Sequence, residues 1–215
     1  METIWIIGAG QFGLRAAKWL FNQEKKYEVT LVDLDENALV RATALGCSVT
    51  ACDGSIFLNE HLTKTHGPDW IVPALPVHLA WEWSVLKMGE TRLTPVLLPQ
   101  EIDPLLPNPM RGAQTQIYVS HADFICPPNC NEPDDKCTKT GKPRKEDMFT
   151  LLSKIDLLGI QPFVIQSCQL GPGVGGYRPN VLFDLLDRLC DHQGPCFVAT
   201  ACRCHGVVSG GQVIS

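Results

Sequence analysis

Apolar runs of strand length alternate with longer segments of mixed polarity along the chain. Residues 3–7 form one such run, the pattern of a buried parallel strand, and residues 28–34, 47–52 and 69–72 form three more. Between the first two lies an Ala/Leu/Trp-rich segment, 14–21, that predicts a helix. Asp35 suits the N-cap of the helix after the second strand, and Gly46 suits its end. Further on, 79–88 predicts a helix with Trp81 and Trp83 on different faces, both read as packing residues. Strands are expected over 116–121, 163–166 and 196–201, and a helix over 147–155. Residues 179–190 form an amphipathic helix, with Val181, Leu182, Leu185, Leu186 and Leu189 on one face and Pro179 at its first position. Residues 89–115 carry Pro95, Pro99, Pro104, Pro107 and Pro109 without a clear period. They read as a long loop, a lid or an interface arm, or as concealing a short strand over 95–98.

The first strand runs directly into Gly8-Ala9-Gly10-Gln11-Phe12-Gly13 and then into the first helix. This is GxGxxG between a strand and a helix. Gly8 permits the turn, Gly10 lets the backbone approach a pyrophosphate, and Gly13 lets helix and strand pack closely. The N–H groups of the helix start, at Gln11 and Phe12, face an anion with the positive end of the helix dipole. Asp33 ends the second strand, where a carboxylate accepts from an adenosine ribose and repels a 2′-phosphate, which favours NAD(H) over NADP(H). The alternation of elements then predicts an α/β fold: one doubly wound, mostly parallel Rossmann-like sheet of about seven strands, with helices on both faces. Residues 1–90 would be the nucleotide-binding half, 91–115 a Pro-rich connection, and 116–215 a Cys-rich second half on the same sheet.

The segments Ile-Ile-Gly-Ala-Gly-Gln-Phe-Gly (6–13), Val-Thr-Leu-Val-Asp-Leu-Asp (29–35) and Cys-Asp-Gly-Ser (52–55) resemble the TrkA N-terminal (RCK/KTN) domain over about the first 75 residues. The resemblance implies a Rossmann unit that binds NAD(H) or an adenine nucleotide and regulates potassium transport, with Gly8, Gly10, Gly13, Asp33 and Asp53 lining the nucleotide site.

Composition adds constraints. The 215 residues are 45% hydrophobic and 19% charged, which is globular composition and not disorder. A net charge of −5 argues against a broad nucleic-acid footprint. No apolar run reaches membrane-spanning length, and no basic leader precedes the first strand, so membrane insertion is not expected and a cytoplasmic protein is. A homo-oligomer is the expected assembly.

The ten cysteines change the picture most. In a reducing compartment they point to metal, cluster, redox chemistry or core packing. Cys47, Cys52, Cys190 and Cys196 sit in or beside regular elements and read as small buried hydrophobes; Cys168 is ambiguous. Cys126, Cys130 and Cys137 occupy a loop with three prolines and almost no apolar residues, which needs something to tie it down. Zinc or a [4Fe–4S] cluster would do so, with Cys202, Cys204 or His205 completing the ligand set; free or paired thiols are the alternative. The loop over 171–176 offers Gly173, Gly175 and Gly176, followed by Arg178, as an anion cradle or as a turn forced by close packing. His121 and His205 follow or precede strand ends near thiols and are candidate acid/base groups or ligands, whereas His61, His66, His78 and His192 read as surface residues. No Ser-His-Asp or HExxH pattern supports a hydrolase, and no catalytic base is identified. If the strands are parallel, the thiols share the carboxyl edge of the sheet with the glycine loop. Two functions follow: an NAD(H)-binding oxidoreductase with a Cys-rich metal or iron–sulfur site, or a non-catalytic nucleotide-sensing regulator.

Overall fold

The computed structural model describes residues 1–112, 115–157 and 159–214. Seven elements make the first half: β1 (Glu2–Ile7), α1 (Gln11–Phe21), β2 (Tyr27–Asp33), α2 (Glu36–Ala44), β3 (Ser48–Ala51), α3 (Gly54–His61) and β4 (Trp70–Pro73). Their strands form a four-stranded sheet in the order β3-β2-β1-β4, every pair parallel. Alternate residues of each strand point to opposite faces. Ile4, Ile6, Val29 and Leu31 therefore pack under α1 and α2, while Ile7, Val32 and Ile71 face the opposite layer. Asp35 caps α2 by accepting from the Asn37 N–H, as expected.

The second half comprises α4 (Leu79–Met88), β5 (Leu93–Pro95), β6 (Met110–Arg111), β7 (Gln116–Ser120), α5 (Met148–Ser153), β8 (Gln161–Gln166), β9 (Cys168–Gly171), β10 (Val174–Gly176), α6 (Pro179–Cys190), β11 (Gly194–Ala201) and β12 (His205–Val213). Its main sheet runs β6-β7-β12-β11-β8, with β5 also paired to β12. This sheet is mixed. β12 is antiparallel to both neighbours, so β7, β11 and β8 all point the same way. Helices α3, α4 and α6 lie between the two sheets, around Trp81, Trp83, Leu182, Leu185 and Leu189. A third cluster, with α5, Leu98 and Ile102, covers the outer face of the second sheet.

The strands thus divide between these two larger sheets and a separate two-stranded β9–β10 pairing, where one sheet of about seven was expected. The reason lies at β4. The outer edge of that strand is occupied by the backbone of Tyr177, which exchanges two hydrogen bonds with Ile71 (2.9 and 3.0 Å). Later strands assemble instead around β12, an element absent from the sequence expectation because Gly206, Gly210 and Gly211 depress its strand propensity. Each glycine is there for contact: a Cβ at Gly210 would lie 2.4 Å from the Val96 carbonyl oxygen, and one at Gly211 2.5 Å from the Trp81 ring.

The Pro-rich connection is also more ordered than a loop. It contains β5, a 3-10 helix over Gln100–Leu105, and β6, tied together by Arg111, which donates to the carbonyls of Leu98 and Pro99 and pairs with Asp103 at 2.8 Å. The remainder of that expectation, at Ala113 and Gln114, lies outside the described residues. No helix among the described residues is long and apolar enough to cross a membrane.

Candidate functional site

The glycine loop has the geometry its spacing predicts. Gly8 has φ +111°, and a Cβ there would meet the Ala74 carbonyl oxygen at 2.6 Å. At Gly13 a Cβ would fall 1.9 Å from the Gly8 carbonyl oxygen, so helix and strand touch backbone to backbone. Gly10 differs: nothing lies within 4 Å of its Cβ position, so its outer side is open to an approaching group. Asp33 locks the loop from β2. One carboxylate oxygen accepts the Ala9 N–H, and the other accepts the Asp35 N–H at 2.8 Å. Gln11 and Phe12 begin α1 on the exposed side, Phe12 being 64% exposed. Asp53 sits at the same edge, but its carboxylate caps α3, accepting from Ser55 and Ile56 N–H (2.9 and 3.0 Å).

At the second sheet, the carboxyl ends of β7, β8 and β11 coincide because those strands are codirectional. Three segments meet there: residues 121–147 after β7, Ser167 and the β9–β10 hairpin after β8, and the turn Cys202-Arg203-Cys204-His205 between β11 and β12. They enclose a cavity of about 1150 Å³, lined by Cys126, Cys130, Cys137, Cys202, Cys204 and His205 and also by Phe12. Phe12 and all six expected metal ligands therefore line one space, whereas Gly8, Gly10, Gln11, Gly13, Asp33 and Asp53 are not among its lining residues.

Those six do not form one cluster. Cys202 and His205 occupy the ends of a four-residue turn, closed by the Cys202 N–H bonding to the His205 carbonyl (2.9 Å) and the His205 N–H donating to Cys202 Sγ (3.4 Å). Glu132 joins them, and the ligand atoms of Glu132, Cys202 and His205 lie within 4.8 Å of one another. The other four thiols sit nearby as a looser set. Burial raises the Cys126 thiol, and the neighbouring Cys130, Cys137 and Cys204 raise it further. Hydrogen bonds from Thr140 lower Cys137. Cys130 Sγ lies 3.2 Å from the Thr138 hydroxyl and accepts the Glu132 N–H at 3.4 Å.

Burial, with the Glu132 carboxylate second, pushes the Cys202 thiol up to about 12. Desolvation also lowers His205 and His121, which favours neutral imidazoles. Nε2 of His121 is buried and has no hydrogen-bond partner among the described residues.

Arg144, which the sequence analysis did not single out, ties the Cys-rich loop together. Its guanidinium, on a side chain only 5% exposed, donates to the carbonyls of Asp134 and Pro133 (both 3.0 Å) and to Cys204 Sγ (3.1 Å), and it pairs with Asp147 at 3.3 Å. Arg203 adds ion pairs to Asp134 and Asp147 at 2.8 and 2.7 Å. Glu132 was missed as well. The available signal was an acid two residues beyond a cysteine in an otherwise coreless loop.

Other expectations need correction. Gly173 and Gly175 do line the cavity, but the Gly173 N–H is taken by the Cys130 carbonyl (3.0 Å), and its φ of +73° lets it pack against Pro128. Gly176 packs against Ile71, 2.8 Å from its carbonyl oxygen to a would-be Cβ. Arg178 is at the opposite, amino edge of the first sheet, stacked 4.1 Å over Trp70 and near Glu2 and Asp69 (3.6 and 3.7 Å), so it cannot serve an anion in this cavity. His78 is not a surface residue. It is fully buried, bonded to Ser209 and Thr200 (both 2.9 Å), and its pKa is pushed down to about 3 by burial. Cys47 and Cys196 are buried as expected, whereas Cys190 is exposed.

No solved structure matches the chain. A relative from Archaeoglobus fulgidus, described as an uncharacterized protein, is 28% identical over 221 residues that cover 95% of this chain and 96% of that protein. Residues 71–214, which contain every cysteine and histidine of the cavity, match the family AF_1314_C, described as an uncharacterized protein's C-terminal domain; the chain belongs to that family.

Proposed function

We propose that the protein is an NAD(H)-binding oxidoreductase whose nucleotide cradle, at β1, α1 and β2, opens onto a thiol-rich metal or iron–sulfur centre. The observation that carries this reading is the shared cavity: Phe12, in the first turn of the glycine-loop helix, and the thiols line the same space. Three further features support it. The order β3-β2-β1-β4, all parallel, is that of a Rossmann mononucleotide half, in which ligands bind beyond the carboxyl ends of the strands. Gly10 is open where a pyrophosphate would approach, beside N–H groups that an α-helix leaves free in its first turn. Asp33 holds the loop through one N–H per oxygen and keeps acceptor capacity for ribose hydroxyls.

Cys126, Cys130, Cys137 and Cys204 are the residues that would hold a [4Fe–4S] cluster or, after closing on the ion, zinc, since four thiolates complete either coordination sphere. Bound NAD(H) supplies hydride transfer. The chain's own part is to hold the nucleotide at the glycine loop, to exclude water with the 121–147 loop, and to orient Cys204 through Arg144.

The test is anaerobic purification, analysis for metal and acid-labile sulfide, and titration with NADH followed by fluorescence. Saturable NADH binding, a bound metal or cluster, and substrate-dependent change at the nicotinamide absorbance support the reading. Nucleotide binding to an oligomer without turnover would favour the regulator that the TrkA-like segments suggest. Absence of both nucleotide and metal binding would end it.

A further inference from the structure

We propose a second, separate metal site in the same cavity, in which Glu132, Cys202 and His205 bind a zinc-type divalent ion and leave a fourth position for water or a substrate oxygen. Glu132 is not among the residues that cysteine and histidine spacing singles out, and its approach separates this trio from the four remaining thiols.

The geometry is close to a coordination sphere. The three ligand atoms lie within 4.8 Å of one another, and Cys202 Sγ is 3.9 Å from His205 Nδ1. In a tetrahedral zinc site, bonds of roughly 2.3 Å to sulfur and 2.0 Å to nitrogen put those two atoms about 3.5 Å apart. The Cys202–His205 pair needs a contraction of about 0.4 Å, and Glu132 closes in from within 4.8 Å. It is also held from behind. The four-residue turn fixes Cys202 and His205 on one side of the β11–β12 hairpin, with the pairing of Ala201 and Gly206 just below. The Cys204 N–H donates to Glu132 Oε1 at 3.1 Å, which orients that carboxylate. The His205 N–H on Cys202 Sγ is the backbone support that a metal-bound thiolate requires.

His121 lines the same cavity with a buried, unpartnered Nε2, a group that a water on the ion would satisfy. A mixed carboxylate, thiolate and imidazole set with three protein ligands matches zinc sites that keep a position open, whereas closed structural sites use four protein ligands.

The proposal does not depend on nucleotide binding or on a cluster at the other four thiols. Its test is titration of the metal-stripped, reduced full-length protein with cobalt(II). A variant carrying Cys126→Ser and Cys130→Ser removes the competing thiol set. That variant should bind one cobalt with the visible bands of a four-coordinate ion and a sulfur-to-cobalt charge-transfer band. Adding Cys202→Ser should abolish the charge-transfer band, and Glu132→Gln or His205→Gln should each weaken cobalt binding at least tenfold. Should the double variant not fold, the same readings are taken on the wild type, where Cys202→Ser should remove one equivalent of cobalt. The proposal is overturned by no cobalt binding, by a six-coordinate spectrum without the charge-transfer band, or by unchanged affinity in Cys202→Ser. An NADH titration of the same samples tests the oxidoreductase reading independently.

Discussion

At the residue scale, the glycine loop separates packing from ligand approach. A methyl at position 13 would stand 1.9 Å from a backbone oxygen, whereas one at position 10 meets nothing. Gly13→Ala should therefore cost about 2 kcal/mol or more through forced backbone movement. Gly10 is the N-cap of α1, so Gly10→Ala should cost up to about 1 kcal/mol. Yet Gly10→Ala should weaken NADH at least tenfold, because the methyl stands where the pyrophosphate would come closest. Chemical denaturation and NADH titration of the pair check this, and a Gly10→Ala protein with normal NADH affinity would count against the cradle. His78 makes a pH prediction. Its folded pKa is about 3, against an ordinary value of 6.5, so the unfolded chain takes up a proton first as pH falls. Stability from this group is present above pH 6.5 and is lost on going down toward pH 3, at up to about 1.4 kcal/mol per pH unit. Between pH 7.5 and 5.0 the wild type should lose about 2 kcal/mol more than His78→Gln, read from urea midpoints; equal losses would refute the assignment. The turn at Gly8 and the close packing at Gly13 were legible in the sequence because both are local, set by the spacing of the glycines between strand and helix. His78 was not, because its partners Ser209 and Thr200 are over a hundred residues away and only the tertiary fold buries it.

At the element scale, nearly every strand and helix with a clean period was legible, α4 and α6 to the residue. β12 was not, because its glycines are chosen by neighbours such as Trp81 and Val96 and local propensity argues against them. The division of the strands into separate sheets was hidden for a related reason. It depends on Tyr177 covering the edge of β4, a long-range pairing with no local signature. The 121–147 loop shows the same limit. Its lack of apolar residues signalled a need for anchorage, but the anchor visible in the fold is Arg144, whose partners span residues 133–204. An arginine this buried leaves the carbonyls of Pro133 and Asp134 and the Cys204 sulfur without their donor when removed, while Asp147 keeps Arg203, so Arg144→Met should destabilise the protein by about 2–3 kcal/mol. The loss should be concentrated in the loop. Trypsin should cut at Lys136, Lys139 and Lys145 in the variant well before it cuts the wild type, with fragments assigned by mass spectrometry. Cleavage at unchanged rates would mean that the loop is held by something other than Arg144.

At the scale of the molecule, the two sheets meet the cavity through a continuous set of contacts. Trp19 of α1 packs on Gly171, where a Cβ would lie 2.2 Å from its ring. On either side of Gly171, the Gln169 side chain from the same strand and the Gly173 N–H from the turn both donate to the Cys130 carbonyl, at 2.6 and 3.0 Å. A ligand that shifts α1 would thus act through Trp19 and the hairpin on a residue of the thiol loop, and a metal that draws in Cys130 would act back along the same path. Coupling between two ligands is reciprocal: whatever factor metal loading applies to nucleotide affinity, the nucleotide applies to metal affinity. Loading the thiols with zinc should accordingly change the NADH dissociation constant by about fivefold or more, and saturating NADH should change the zinc constant by the same factor. Gln169→Ala removes one of the two links to Cys130 without touching the glycine loop or a thiol. It should shrink the coupling factor while leaving NADH affinity of the metal-free protein unchanged. Paired titrations by fluorescence and by metal-buffer competition measure all four constants. If zinc leaves NADH affinity as it was, the glycine loop and the thiols share a cavity without communicating, and the nucleotide and metal sites act independently.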